Sequence, residues 1–155
     1  MGPMKAAIES AEQAFSFYAR DMEALSEAQI LDSAGGVARK PVDFTYEVAL
    51  INRRVAARLR GEEPAPWPGG EGFLCAPSEY LTKVAICEFM NSACAELLGA
   101  AKAIPEAEGD RLVGPPGKEE PAYGMVNFAS MHTMYHDAQL NFIQSLAGDG
   151  AMHWF

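Results

Sequence analysis

In four long segments of this chain the apolar residues recur at steps of three and four. A period near 3.6 gathers such residues on one face of a helix, and that face has to be buried. The first segment runs from about Met4 to Leu25, with Ile8, Ala11, Phe15, Tyr18, Met22 and Leu25 in its stripe. The second starts near Asp43, read as an N-cap, and carries Phe44, Val48, Ile51, Val55 and Leu59 up to Gly61. The third opens at Pro77 and Ser78 and reaches about Ala103, with Tyr80, Val84, Cys87, Cys94 and Leu98 on one side. The fourth covers about Met125 to Leu146. Its expected inward stripe is Met125, Phe128, His132, Tyr135, His136, Gln139, Phe142, Ile143 and Leu146. Ser26 to Gln29 has the S-x-x-Q form of a capping box and predicts a short separate turn. No segment reads clearly as a strand.

Two long irregular stretches interrupt the helices. Residues 62–77, "EEPAPWPGGEGFLCAP", hold four prolines and three glycines, and "IPEAEGDRLVGPPGKEEPAYG" precedes the fourth segment. The first of these is a crossover or a lid over a site. Four amphipathic helices predict an all-α fold, a four-helix bundle. Two long connections suit an up-down-down-up order better than four short hairpins do. At 155 residues the chain reads as one domain spanning 1–155.

Charge narrows the partners. A formal net charge of −9 repels nucleic-acid phosphate and anionic membrane surfaces, so neither is an expected partner. No apolar run looks long enough to span a bilayer, and the N-terminal "MGPMKAAIESAEQ" lacks a secretory leader's apolar core. Three cysteines, an odd number, fit a reducing cytoplasm. Cys87 and Cys94 lie about 10 Å apart along a helix, too far for a disulfide, and read as small buried hydrophobes.

Chemistry concentrates in "MHTMYHDAQL", residues 131–140. His132 and His136 are four apart and so share a helix face. A buried imidazole needs a partner for its nitrogens. A metal ion is one such partner, and helix-borne histidines at this spacing are a recurrent ligand pair. Two core histidines hydrogen-bonded to tyrosines or carboxylates are the other reading. Thr133 follows His132, so this is not H-E-x-x-H. The candidate third ligand is Glu47, which borders the apolar stripe of the second helix and has no Lys or Arg four residues on. A carboxylate with two imidazoles suits zinc, nickel, iron or manganese. Its bland alternative is a boundary glutamate with its carboxylate in solvent.

Tyr135 is expected to face the site and Asp137 the solvent. Glu88 and Asn91 are expected near the inner face of the third helix. His153 and Trp154 form an aromatic tail expected to pack back on the helices. Trp67 is expected to anchor its loop. "GPPGKEE" lacks the spacing of a phosphate-binding loop, and Cys75 has no neighbour that marks a nucleophile.

The stretches "FTYEVALINRRVAARLRGE" and "MHTMYHDAQLNFIQSL" together resemble the DinB-like metal-binding four-helix bundles. His132, His136, Gln139 and Leu140 match that family's H-x-x-x-H-x-x-Q-L pattern. The resemblance implies an up-down-down-up bundle, often a homodimer, with a divalent metal held by three histidines. It implies a metal-dependent enzyme acting on a small molecule, in the manner of relatives that are thiol-cofactor-dependent transferases or isomerases. Glu47 stands where the family's first histidine is expected. The site is then Glu47, His132 and His136, or the scaffold is a non-catalytic binding or stress-associated protein with a vestigial site.

Overall fold

The structure is a computed structural model and describes residues 2–155. It is mostly helical. Five helices carry the fold: α1 (Pro3–Ala24), α2 (Glu27–Leu31), α3 (Pro41–Leu59), α4 (Lys83–Lys102) and α5 (Ala122–Leu146). The expected capping box is present at α2. Ser26 Oγ accepts from the Gln29 backbone N–H, and Gln29 Oε1 accepts from the Ser26 backbone N–H at 2.7 Å.

Three helix starts differ from the sequence expectation; α5 begins at Ala122, three residues before Met125. α3 begins at Pro41, because proline's preset φ and missing N–H suit the first helical position. Asp43 is therefore not a cap. Its carboxylate accepts from the Ala76 backbone N–H at 2.8 Å and ties the end of the 62–77 connection to α3. α4 begins only at Lys83, capped by Thr82 Oγ1, which accepts from the Ala85 N–H at 3.1 Å. Ser78–Tyr80 is a separate 3-10 turn. The connection before α5 holds an antiparallel pair the sequence did not announce, β1 (Leu112–Val113) with β2 (Glu120–Pro121).

α1 packs mainly on α5, and α3 on α4; smaller α3–α5 and α1–α4 contacts complete the arrangement. Tyr18, Met22, Phe44, Leu59, Ile86, Leu97 and Leu140 fill the space between them. Each such side chain contributes about 1.5–3 kcal/mol by leaving water. By length and composition alone α4 is long and apolar enough to cross a membrane, so the expectation of no such run is corrected. Its Ile86, Phe89, Met90, Ala93 and Leu97 are spent on the core.

The buried faces of α4 and α5 are rotated from the expected stripes. Val84 is 65 % exposed, while Phe89 and Met90 are buried. Glu88 and Asn91 point outward rather than in. On α5 the buried set includes Ala122, Val126, Ala129, Ser130 and Thr133, and Phe128, Tyr135, Phe142 and Leu146 are exposed. Small residues are the reason. α1 buries Ala7, Ala11 and Ala14, and Ser10 Oγ lies 3.0 Å from Ser130 Oγ. Side-chain size sets the separation of packed helices, and small faces let two axes approach closely. A reading weighted toward large apolar residues picks the wrong face there.

The C-terminal tail packs back as expected. The Trp154 ring stacks on Phe17 with centroids 4.4 Å apart, and Trp154 Nε1 donates to Asp21 Oδ2 at 2.8 Å. His153 bonds to Asp149 and takes no part in the site below.

Candidate metal centre

The α3–α5 contact sets the position of the site. Phe44 is buried on α3, and its ring stacks on that of His136 with centroids 5.2 Å apart and planes 16° apart. Glu47 is three residues further on, so it shares that face one turn along. Its carboxylate reaches both histidines of α5. Oε1 lies 3.7 Å from His132 Nε2 and 3.8 Å from His136 Nε2. These separations are too long for hydrogen bonds. All three donor atoms lie within 4.8 Å of one another. Donors at about 2.1 Å from a shared ion stand at most about 4.2 Å apart, a difference that small side-chain rotations supply.

The protonation states favour ligation. His136 Nδ1 lies 2.7 Å from Gln139 Oε1. With Nδ1 donating to that carbonyl oxygen, the lone pair is left on Nε2, toward Glu47. Burial pushes the His136 pKa down to about 4, against the opposing bond to Gln139. Burial also lowers His132, with Glu47 opposing. Both imidazoles are therefore neutral at pH 7 and free to donate lone pairs. Glu47 and His132 side chains are 19 % and 18 % exposed, His136 only 3 %, so the site opens to solvent on the side of Glu47 and His132. Two imidazoles and a carboxylate converging from separate helices fit a divalent ion.

One residue at the site escaped the sequence. Arg39 Nη2 donates to Glu47 Oε2 at 2.7 Å. Helix spacing pairs Glu47 only with residues three or four away on α3, and Arg39 precedes that helix. The only signal was its place two residues before Pro41. The Phe73 ring, from the 62–77 connection, lies 4.5 Å from Arg39 Cζ.

Two neighbours of His136 depart from expectation. Tyr135 does not face the site; it is 62 % exposed and meets the His136 ring edge-on at 5.0 Å. Asp137 is wholly buried and not on the solvated side. The rotation of α5 toward α1 carries it inward, beside Asp21.

No protein-family model matches the chain, and no curated protein matches it. A solved structure does. A conserved protein of locus from Enterococcus faecalis superposes with a TM-score of 0.70, over 94 % of this chain and 97 % of that one, at 10 % sequence identity. At that identity the likeness establishes a shared fold.

Proposed function

We propose that this protein is a divalent-metal-dependent enzyme acting on a small molecule, built on a DinB-like four-helix bundle of up-down-down-up order. The observation that carries the reading is the convergence of Glu47 Oε1 with the Nε2 atoms of His132 and His136. The candidate ions are zinc, nickel, iron and manganese. Such an ion supplies Lewis acidity that lowers the pKa of a bound thiol or water and turns it into a nucleophile. The chain does the rest. Phe44 fixes the His136 ring by stacking, and Gln139 fixes its tautomer. Arg39 holds the Glu47 carboxylate in place. The solvent-facing side is where a small ligand enters, and a low-molecular-weight thiol is the cofactor class that suits transfer or isomerisation at such a centre.

The test uses cobalt(II) as a visible stand-in for the native ion. Adding a small thiol to the cobalt-loaded protein is expected to produce sulfur-to-cobalt charge-transfer absorption in the near ultraviolet. Spectra that do not change with thiol would remove thiol activation from the account. The rival reading is a binding protein with a vestigial site. It is supported by the Arg39–Glu47 ion pair, which balances the carboxylate without any ion. It predicts a melting temperature indifferent to divalent metals, whereas a native-state ligand at 100 times its Kd adds about 2.7 kcal/mol.

A homodimer completes the reading. The exposed side of α5 carries Phe128, Met131, Tyr135, Phe142 and Leu146. Asp137 is the only Asp, Glu, Lys or Arg on that helix, and it is buried. Two copies of a chain with net charge −9 meet most easily through a face without charge. Light scattering after gel filtration should give twice the chain mass for the native protein and once for Phe142→Glu. A native monomer at micromolar concentration would contradict this surface.

A further inference from the structure

We infer that Arg39 and Glu47 act as one unit that makes the metal centre a receptor for an anionic ligand; this rests on the metal reading above. Arg39 Nη2 occupies Glu47 Oε2 at 2.7 Å. Oε1 is the oxygen turned to the imidazole pair, at 3.7 and 3.8 Å. The carboxylate therefore presents one oxygen to the imidazoles while the other is held by the guanidinium. Three single-point donors leave a first-row dication with further positions to fill.

Charge points the same way. The guanidinium, ion-paired to Glu47 at 2.7 Å, offsets the carboxylate's charge from outside the donor set and places a fixed positive charge next to the position an ion would take. A dication beside a guanidinium selects an anion over a neutral donor. Thiolate, carboxylate and hydroxide share that chemistry.

The guanidinium is held for this task. Its side chain is 14 % exposed, with the Phe73 ring 4.5 Å from Cζ. Arg39 Nε is buried without a hydrogen-bond partner, so the group has donor capacity that Glu47 does not use. Phe73 is itself 77 % exposed, and its ring covers the guanidinium from the side of the connection. The 62–77 connection thus reaches the site through Phe73 and pins Arg39 beside the ligands.

The experiment loads wild type, Arg39→Met and Arg39→Lys with cobalt(II). It measures cobalt affinity by chelator competition, and azide affinity from the visible spectrum. Arg39→Met should hold cobalt at least as tightly as wild type, because the freed carboxylate can close on the ion with both oxygens. Its azide affinity should fall about 10-fold or more, the size of other losses next to a ligand. Arg39→Lys keeps the positive charge and should recover most of the azide affinity. If Arg39→Met does not fold, Arg39→Gln takes its place. Weaker cobalt binding with unchanged azide affinity would reduce Arg39 to a support of the fold and overturn the inference. Wild-type protein that takes up no cobalt would remove the metal reading itself, and this inference with it, in a separate arm of the same experiment.

Discussion

His136→Ala should lower affinity for zinc or nickel by more than the roughly 10–100-fold that losing a ligand's neighbour costs. The imidazole is a direct donor, and its position is the most tightly fixed of the three. It is stacked on Phe44, bonded through Nδ1 to Gln139 and 3 % exposed. The chain's remaining histidine cannot replace it, because His153 lies on the tail bonded to Asp149. Calorimetric titration of metal-free protein measures the effect, and His153→Ala is the control expected to bind as wild type does. Equal affinities in all three proteins would show that the histidine pair holds no metal.

Asp137→Asn should stabilise the metal-free protein, by roughly 5–10 °C at pH 8. Asp21 and Asp137 are both wholly buried. Asp21 is well supplied with donors: Asn141 Nδ2 at 2.6 Å and Trp154 Nε1 at 2.8 Å. Asp137 has no such supply of donors; its polar neighbours are the Asp21 carboxylate and the Trp154 indole, whose N–H is already bonded to Asp21. Burial, and then the neighbouring Asp21 carboxylate, push the Asp137 pKa up to about 8.

The sign follows from where each state ionises. The unfolded chain releases this proton near pH 3.8 and the folded chain near 8. Across that window the folded state holds a proton that the unfolded state has lost, so stability falls as pH rises. The slope is on the order of 1 kcal/mol per pH unit. His136 works in the opposite sense. Its pKa drops from 6.5 to about 4 on folding, so its contribution is lost as pH falls through that range. His132 shifts in the same direction. The opposing slopes offset one another between about pH 4 and 6.5, and above 6.5 Asp137 acts alone. Wild-type melting temperature should therefore fall between pH 6.5 and 8, and the asparagine variant should remove that fall. Parallel pH profiles for the two proteins would contradict the buried-proton account.

The first helix and the cap at Ser26 were legible because each rests on local chemistry: a stripe of six apolar residues and a four-residue motif. Four long helices were legible for the same reason. The faces of α4 and α5 were not. Burial on α5 follows from how closely its Ala129 and Ser130 let α1 approach, a property of the pair of helices and not of either sequence alone. Asp137 was misplaced by that same rotation. Glu47, His132 and His136 could be paired because two of them share a helix face and the third borders a buried stripe. Arg39 could not, since it lies outside any helix and meets Glu47 only through the turn into α3. Phe73 was hidden in the same way, because an irregular connection has no period from which a side chain's direction follows.

The most direct test of the central claim is the metal content of untagged protein purified without chelator or added metal, read by elemental mass spectrometry. The account predicts close to one zinc, nickel, iron or manganese ion per chain, lost in Glu47→Ala and in His132→Ala. Protein that arrives empty and takes up none of these ions at micromolar concentration would contradict it, and would leave Glu47, His132 and His136 as an ion-paired polar seam between α3 and α5.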